Sequence, residues 1–524
     1  MIQFNLFYFF HLRPMLPWYY TIDMEENTIF GQNQSNQQIF GAVPPQQPQE
    51  NQTGIIQPSV QDTTQANTVG APPPPQPPLE TPSESQQNNQ GNSFPFVKTI
   101  LKIFLGLIVV GTLFFLFYIF VLPRFINNKN EKVTITYWSL WEDQKVIQPI
   151  ISDFQKQNPN ITVNFVKQDS KKYRERLDTR IRNGTGPDIF RFHNTWYPML
   201  SSFLAPLPSD VITAKDFKSS FYAVTQKDLV KNGAIYGIPL EIDTLALYIN
   251  TDIFQAAGIN PPATWEEFIN DARMITVKDE KGKIKTAGVA MGAYSNVVHA
   301  PDIISLLFAQ NGVNPNNISA NSQKAAETLD FYIAFAQGDG NIWDKTQDSS
   351  TLAFSRGNLG MYFGYSWDYF TIKAMNPNLK FKIVAVPQLP DQSKNIASYW
   401  VEGVSGKSKH QKEAMLFLKF LTNKESAEKI YTETSKTRDY GEPYARVDLA
   451  DSLKDNSNIS PFLLQARSAT SSFFVDATND DGINSKCNTY LENAVGSILD
   501  NGSSETAVQT LSKGISQVLS EYGQ

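Results

Sequence analysis

The 524-residue chain is 41% hydrophobic and 18% charged, enough apolar material for a large core and more than one domain. Its formal charge of −6 lies in residues 1–95, where one Arg stands against seven Asp and Glu; the remaining 44 basic and 44 acidic residues balance, which excludes the basic excess of nucleic-acid binding. A single cysteine, Cys487, rules out an intrachain disulfide, and the four histidines sit outside any HExxH pattern, so no metal or cofactor is expected.

The chain opens on an apolar, aromatic stretch interrupted by Arg13, Pro14 and Pro17, unlike a signal-peptide core, and Met24 is the expected start. Gln, Pro, Asn, Ser and Thr then dominate up to residue 95, with "APPPPQPP" at Ala71–Pro78. Such a segment buries too little apolar surface to offset its conformational entropy, so residues 1–95 are expected to form a disordered tail. Ile103 to Leu122, "IFLGLIVVGTLFFLFYIFVL", is a charge-free run whose helix spans about 30 Å, the hydrocarbon thickness of a bilayer. A single transmembrane helix is therefore expected within 98–124. Lys98 and Lys102 on one side, against Arg124, Lys129 and Lys132 on the other, slightly favour a cytoplasmic C-terminal domain. Large domains translocate with little regard to such counts, so charge leaves the orientation open.

Beyond a short polar linker, strands and helices alternate. "VTITY" from Val133 reads as a strand; Val146, Ile150 and Phe154 mark a helical face; "ITVNFV" from Ile161 is a second strand. Tyr173, Leu177 and Ile181 form another helical face ending at Gly184, and "DIFRF" from Asp188 is a third strand. Thr264 and Glu267 are spaced as a capping box, and Ala414, Phe417, Leu418 and Leu421 mark a late amphipathic helix. The alternation predicts α/β architecture with largely parallel sheets, and the length of 133–524 predicts two lobes.

No G-x-S-x-G, P-loop or dinucleotide-binding glycine pattern is present, so no catalytic arrangement is visible. "DATNDDGIN" at Asp476–Asn484 lacks the closing Glu of a calcium loop and reads as a polar turn. Tryptophans stand out instead. Trp138, Trp141, Trp196, Trp367 and Trp400 fall near predicted strand ends or turns, beside Glu142, His193, Asn194, Asp368 and Glu402. Ligands of α/β sheets sit at the carboxyl ends of strands. Indole faces suit the C–H faces of a sugar, and carboxylates and amides suit its hydroxyls.

Four blocks, "FQKQNPNITVNF", "GTGPDIFRFHNTW", "YGIPLEIDTLALYINTDIFQAAGINPPATWEEF" and "GNLGMYFGYSW", resemble in order and spacing the extracellular family 1 solute-binding proteins of ABC transporters, of the maltose-binding type. The resemblance covers about 133–524. It implies a two-lobed type II periplasmic-binding-protein-like fold, with "PLEIDTLALYIN" as the first crossover and "YWVEGVSGKSK" near the second. It also implies no catalysis, an extracytoplasmic binding domain, a sugar or other small solute as ligand, and ABC permease transmembrane subunits as partners; family members are usually lipoproteins or released after signal cleavage, and here the apolar helix departs from that pattern, so a single-pass cell-membrane anchor is expected. Residue by residue, it points to Trp138, Trp141 and Glu142 after the first strand, and to His193, Asn194 and Trp196 after "PDIF". Glu241 and Asp243 fall at the first crossover, Tyr294 and Asn296 in "GAYSN", Tyr365 and Trp367 in the aromatic site, Trp400 and Glu402 near the second crossover, and Arg438 late in the chain. Asp188 is expected to brace its turn. Two rival readings remain: a membrane-tethered sensor without a permease, and a polyamine binder using Glu142, Asp143, Glu241, Asp243 and Glu402 within an aromatic box.

Overall fold

The computed structural model describes residues 95–121 and 131–524. The expected tail up to residue 94, the start at Met24, and positions 122–124 of the membrane span lie outside the described residues. The first helix, α1 (Pro95–Leu116), continues through a π-helical turn, Phe117–Val121. Its stretch Ile100–Phe120 has a mean hydropathy of 2.7 and none of its residues is buried in the protein, so it is long and apolar enough to cross a membrane.

The folded part begins with β1 (Val133–Ser139), α2 (Gln144–Gln157), β2 (Ile161–Lys167), α3 (Tyr173–Arg182) and β3 (Ile189–His193). Each helix turns one apolar stripe inward: Val146, Ile150 and Phe154 from α2, and Tyr173, Leu177 and Ile181 from α3, are buried. Gly184, at φ +69°, ends the α3 segment in a conformation that costs glycine little. Asp188 does brace the entry to β3. Its carboxylate accepts from the Thr136 N–H at 2.8 Å and the Ser408 hydroxyl at 2.5 Å.

The chain then leaves this lobe through β4 (Ile238–Pro239), β5 (Asp243–Thr244) and β6 (Ala246–Asn250). The second lobe adds α4 (Trp265–Ile275), β7 (Val277–Lys278), β8 (Ile284–Val289), β9 (Leu359–Gly364) and β10 (Phe381–Val384). The capping box forms as expected: Thr264 Oγ1 accepts from the Glu267 N–H, and Glu267 Oε2 accepts from the Thr264 N–H at 3.1 Å. The return path is β11 (Asn395–Ser398) into β12 (Trp400–Val404), and β13 (Ala469–Thr470) follows later.

Two five-stranded sheets result, ordered β2-β1-β3-β12-β4 and β10-β6-β9-β8-β7. They are mixed, not largely parallel. The β1–β2, β1–β3 and β8–β9 pairs are parallel, as right-handed β-α-β passage requires, whereas β12 runs antiparallel to both β3 and β4, and β6 antiparallel to both β9 and β10. Apart from β7, which forms a local antiparallel hairpin with β8, the antiparallel strands are those by which the chain enters or leaves a lobe, so their direction is set by the opposite lobe. Between the sheets, β5 and β11 pair with each other through Ala397↔Thr244 and Ser398↔Asp243, and β13 joins β11. The two crossovers are thus hydrogen-bonded into one hinge.

Candidate functional site

A cavity of about 290 Å³ opens beside this hinge. The first lobe contributes Trp141, Glu142, Arg191 and His193; the crossovers contribute Glu241, Asp243, Ser398, Tyr399 and Trp400. From the second lobe come Trp367 and the loop Asp476–Thr478, and Arg438 and Glu442 close one side. A smaller hollow of about 180 Å³ continues past Trp141 and shares Glu142, Glu241, Arg438 and Glu442. A wider hollow, about 720 Å³, also spans both lobes but has no tryptophan in its wall and is lined by Lys227, Asp228, Lys231 and loop residues. The chemistry of a small-molecule site, few polar groups among aromatic faces, belongs to the tryptophan-lined cavity.

Three indoles shape it. Trp141 is 44% exposed and touches Trp400 edge-to-face, with ring centroids 5.6 Å apart. Trp400 is in turn held against His193 and Trp196, each 5.2 Å away and nearly perpendicular. Trp367 stacks on Tyr365 at 4.4 Å and 15°. The Tyr365 hydroxyl donates to Asp302 at 2.7 Å, so a buried residue fixes the plane of one that faces the cavity. Ala477 holds φ +58°, unusual for a residue with a Cβ, at the point where its loop meets the cavity.

The floor is ionic. Arg191, on β3 and 0% exposed, donates Nη1–H to Glu142 Oε1 at 2.6 Å and Nε–H to Glu402 Oε1 at 2.7 Å; Glu241 Oε2 lies 3.7 Å from its Nη2. Tyr137 donates to Glu402 and Ser139 to Glu142, both at 2.9 Å. Burial works against the Arg191 charge, but the carboxylates of Glu142, Glu241 and Glu402 outweigh it and raise its pKa further. For Glu142 burial is likewise opposed, here by the guanidinium, which holds its pKa low. Glu402 and Glu241 move up: burial leads, and repulsion between the carboxylates adds to it. His193 is neutral, its pKa pushed down to about 3 by burial, with Nε2 3.0 Å from Ser398 Oγ.

Of the residues expected at the site, Trp141, Glu142, His193, Glu241, Asp243, Trp367, Trp400 and Arg438 line the cavity. Seven others do not. Trp138 packs on the core from within β1, because that strand extends to Ser139. Trp196 is wholly buried behind Trp400. Asn194 donates to Asp228 at 2.9 Å and faces the wider hollow. Tyr294 donates to the Asn488 carbonyl, and Asn296 accepts from the buried Trp343 indole N–H at 3.0 Å while donating to the Asp344 carbonyl. Tyr365 and Glu402 stand one layer back, behind Trp367 and Arg191. Sequence reasoning missed Arg191, Tyr399, Glu442 and Asp476. A signal existed for the first: an arginine inside a short, otherwise apolar strand must be paired when buried. Glu442 stands four residues after Arg438 and forms an ion pair with it.

The fold matches solved structures closely in extent. A cyclo/maltodextrin-binding protein complexed with maltotetraose superposes with a TM-score of 0.61 at 19% identity, covering 74% of this chain and 97% of that one. An ABC substrate-binding protein from Listeria monocytogenes in complex with cycloalternan gives 0.59 at 21%, covering 74% and 100%. In sequence, the chain is 25% identical over 325 residues to a multiple sugar-binding protein of Streptococcus mutans, across 58% of this chain and 74% of that protein. The family model described as bacterial extracellular solute-binding protein matches residues 138–428, more than half of the chain. The chain therefore belongs to the bacterial extracellular solute-binding proteins, a family that binds its solute and does not transform it.

Proposed function

We propose that residues 133–524 capture a carbohydrate outside the membrane and pass it to the transmembrane subunits of an ABC permease, while the helix 95–121 tethers the domain to the cell surface. The observation that carries this reading is the cavity in which Trp141, Trp367 and Trp400 stand among hydrogen-bonding side chains. A pyranose ring presents C–H faces that gain from burial against an indole, and hydroxyls that both donate and accept. Carboxylates of Glu142 and Asp243 accept such donors; the Arg438 guanidinium supplies donors of its own. Both lobes and both crossovers contribute to the wall, so a ligand bound there favours the arrangement that brings them together. The sugar-binding roles named for the relatives point the same way. Membership of an extracellular solute-binding family supports a binding domain outside the cytoplasm, and a helix long and apolar enough to cross a membrane supports the tether.

A thermal-shift screen of the full chain in detergent, against mono- and oligosaccharides, tests the binding. A saccharide at about 100 times its dissociation constant adds about 2.7 kcal/mol to stability. No shift with any carbohydrate, together with a shift for a non-carbohydrate solute, would overturn the reading. Protease added to intact cells is expected to remove the binding domain; full protection contradicts the orientation.

A further inference from the structure

Glu241 is left without a hydrogen-bond donor in a cavity that already has more carboxylates than cations. It projects from the first crossover into both hollows, is 8% exposed, and accepts no hydrogen bond from any described residue. Its nearest cation, Arg191, holds only a long ion pair with it at 3.7 Å and spends its short hydrogen bonds on Glu142 and Glu402. The other arginine of the wall, Arg438, is paired with Glu442. The charged groups that line the two hollows with Glu241 are Glu142 after β1, Asp143, Asp243 on β5, Glu442 and Asp476 against Arg191 on β3 and Arg438, with Glu402 of β12 behind Arg191; even with Asp143 paired to Lys167, carboxylates outnumber cations before Glu241 itself is counted.

We propose that the carbohydrate taken by this cavity carries an amino group, whose ammonium sits against Glu241 beside the indoles of Trp141 and Trp400. The inference rests on the carbohydrate reading above and narrows it. An ammonium supplies what Arg191 Nη2, 3.7 Å away, does not, a charged donor within hydrogen-bond distance of Glu241, and offsets the surplus of negative charge. Aromatic faces lining the same hollow add cation–π attraction. Burial, then repulsion from Glu142, Glu442 and Glu402, pushes the Glu241 pKa up against the pull of Arg191. An ammonium at this carboxylate reverses that push, so its binding returns Glu241 toward the ionised form and releases protons.

The test is calorimetric titration of the full chain in detergent with matched probes: glucose and glucosamine, galactose and galactosamine, cellobiose and its 2,2′-diamino analogue, with spermidine as a sugar-free amine. The expected result is that at least one amino sugar binds roughly tenfold or more tightly than its hydroxyl counterpart, and that Glu241→Gln removes the difference. Titration in two buffers of different ionisation heat should show proton release for the amino sugar alone; this readout on the unaltered protein stands even if the variant folds poorly. Amino sugars that bind no better than their neutral counterparts overturn the inference and leave the carbohydrate reading standing. Binding of spermidine with no sugar bound overturns both, whereas binding of no probe overturns the amino-sugar inference and leaves the carbohydrate reading to the wider screen above.

Discussion

Replacing Trp141 with alanine separates a ligand platform from a packing residue. Trp141 is 44% exposed, and among the described residues its aromatic contact is the single edge-to-face approach to Trp400 at 5.6 Å, so its loss removes little internal packing. A sugar face lying on the indole covers about 60–100 Å² of apolar surface, worth about 1.5–2.5 kcal/mol. The Trp141→Ala protein should therefore bind its sugar roughly ten- to a hundredfold more weakly, with nearly unchanged melting. Trp196 provides the contrast. It is wholly buried between Tyr173 and Trp400, and Trp196→Ala should cost about 3–5 kcal/mol of stability. Calorimetric melting and titration on the same two variants make the comparison. A Trp141→Ala protein with normal affinity and a large fall in melting temperature refutes the assignment of that indole to the ligand.

Arg191→Met leaves Glu142, Glu241 and Glu402 buried without their cation, and should destabilise the protein by about 3–5 kcal/mol in urea unfolding; an unchanged midpoint contradicts the ionic floor. His299 is buried, which lowers its pKa, but Asp368, Asp476 and Asp302 outweigh this and raise it to about 9. A folded pKa above the ordinary value means that its stabilisation is fully present below pH ~6.5 and is lost as pH rises through about 9. Melting temperature should fall over that interval, and His299→Gln should flatten the fall; a wild-type profile that rises there contradicts the assignment. Thr264→Ala breaks the capping box of α4 and should cost about 1 kcal/mol in the same unfolding assay, with sugar affinity unchanged because α4 is absent from the cavity wall.

Local pattern carried much of the fold. Strands β1 and β2 were readable from apolar alternation, β3 from a short apolar and aromatic run, and the inward stripes of α2 and α3 from four-residue spacing, because each depends on a neighbouring few residues. Strand direction in the sheets was not readable. Whether β12 runs with or against β3 depends on a return from the other lobe, more than 200 residues after His193. The same distinction divides the site. Trp141, Trp367 and Trp400 stood out because an indole beside a polar side chain at a turn is a local signature. Trp196 carries the same signature and lies in the core, since what buries it, Tyr173 and Trp400, comes from distant segments. Arg191 was hidden by its place in a strand buried at all five positions, where alternation has no outward face to mark. Asp476 and its neighbours read as a turn, which they are; only the folded chain brings that turn against Trp367 and the hinge.

The most direct measurement is a co-crystal structure of the protein with the saccharide that stabilises it most. The account predicts the sugar in the hollow beside the hinge, a ring face on at least one of Trp141, Trp367 and Trp400, and polar contacts to Glu241 and residues of both lobes. A saccharide bound elsewhere, with the three indoles untouched, would contradict it.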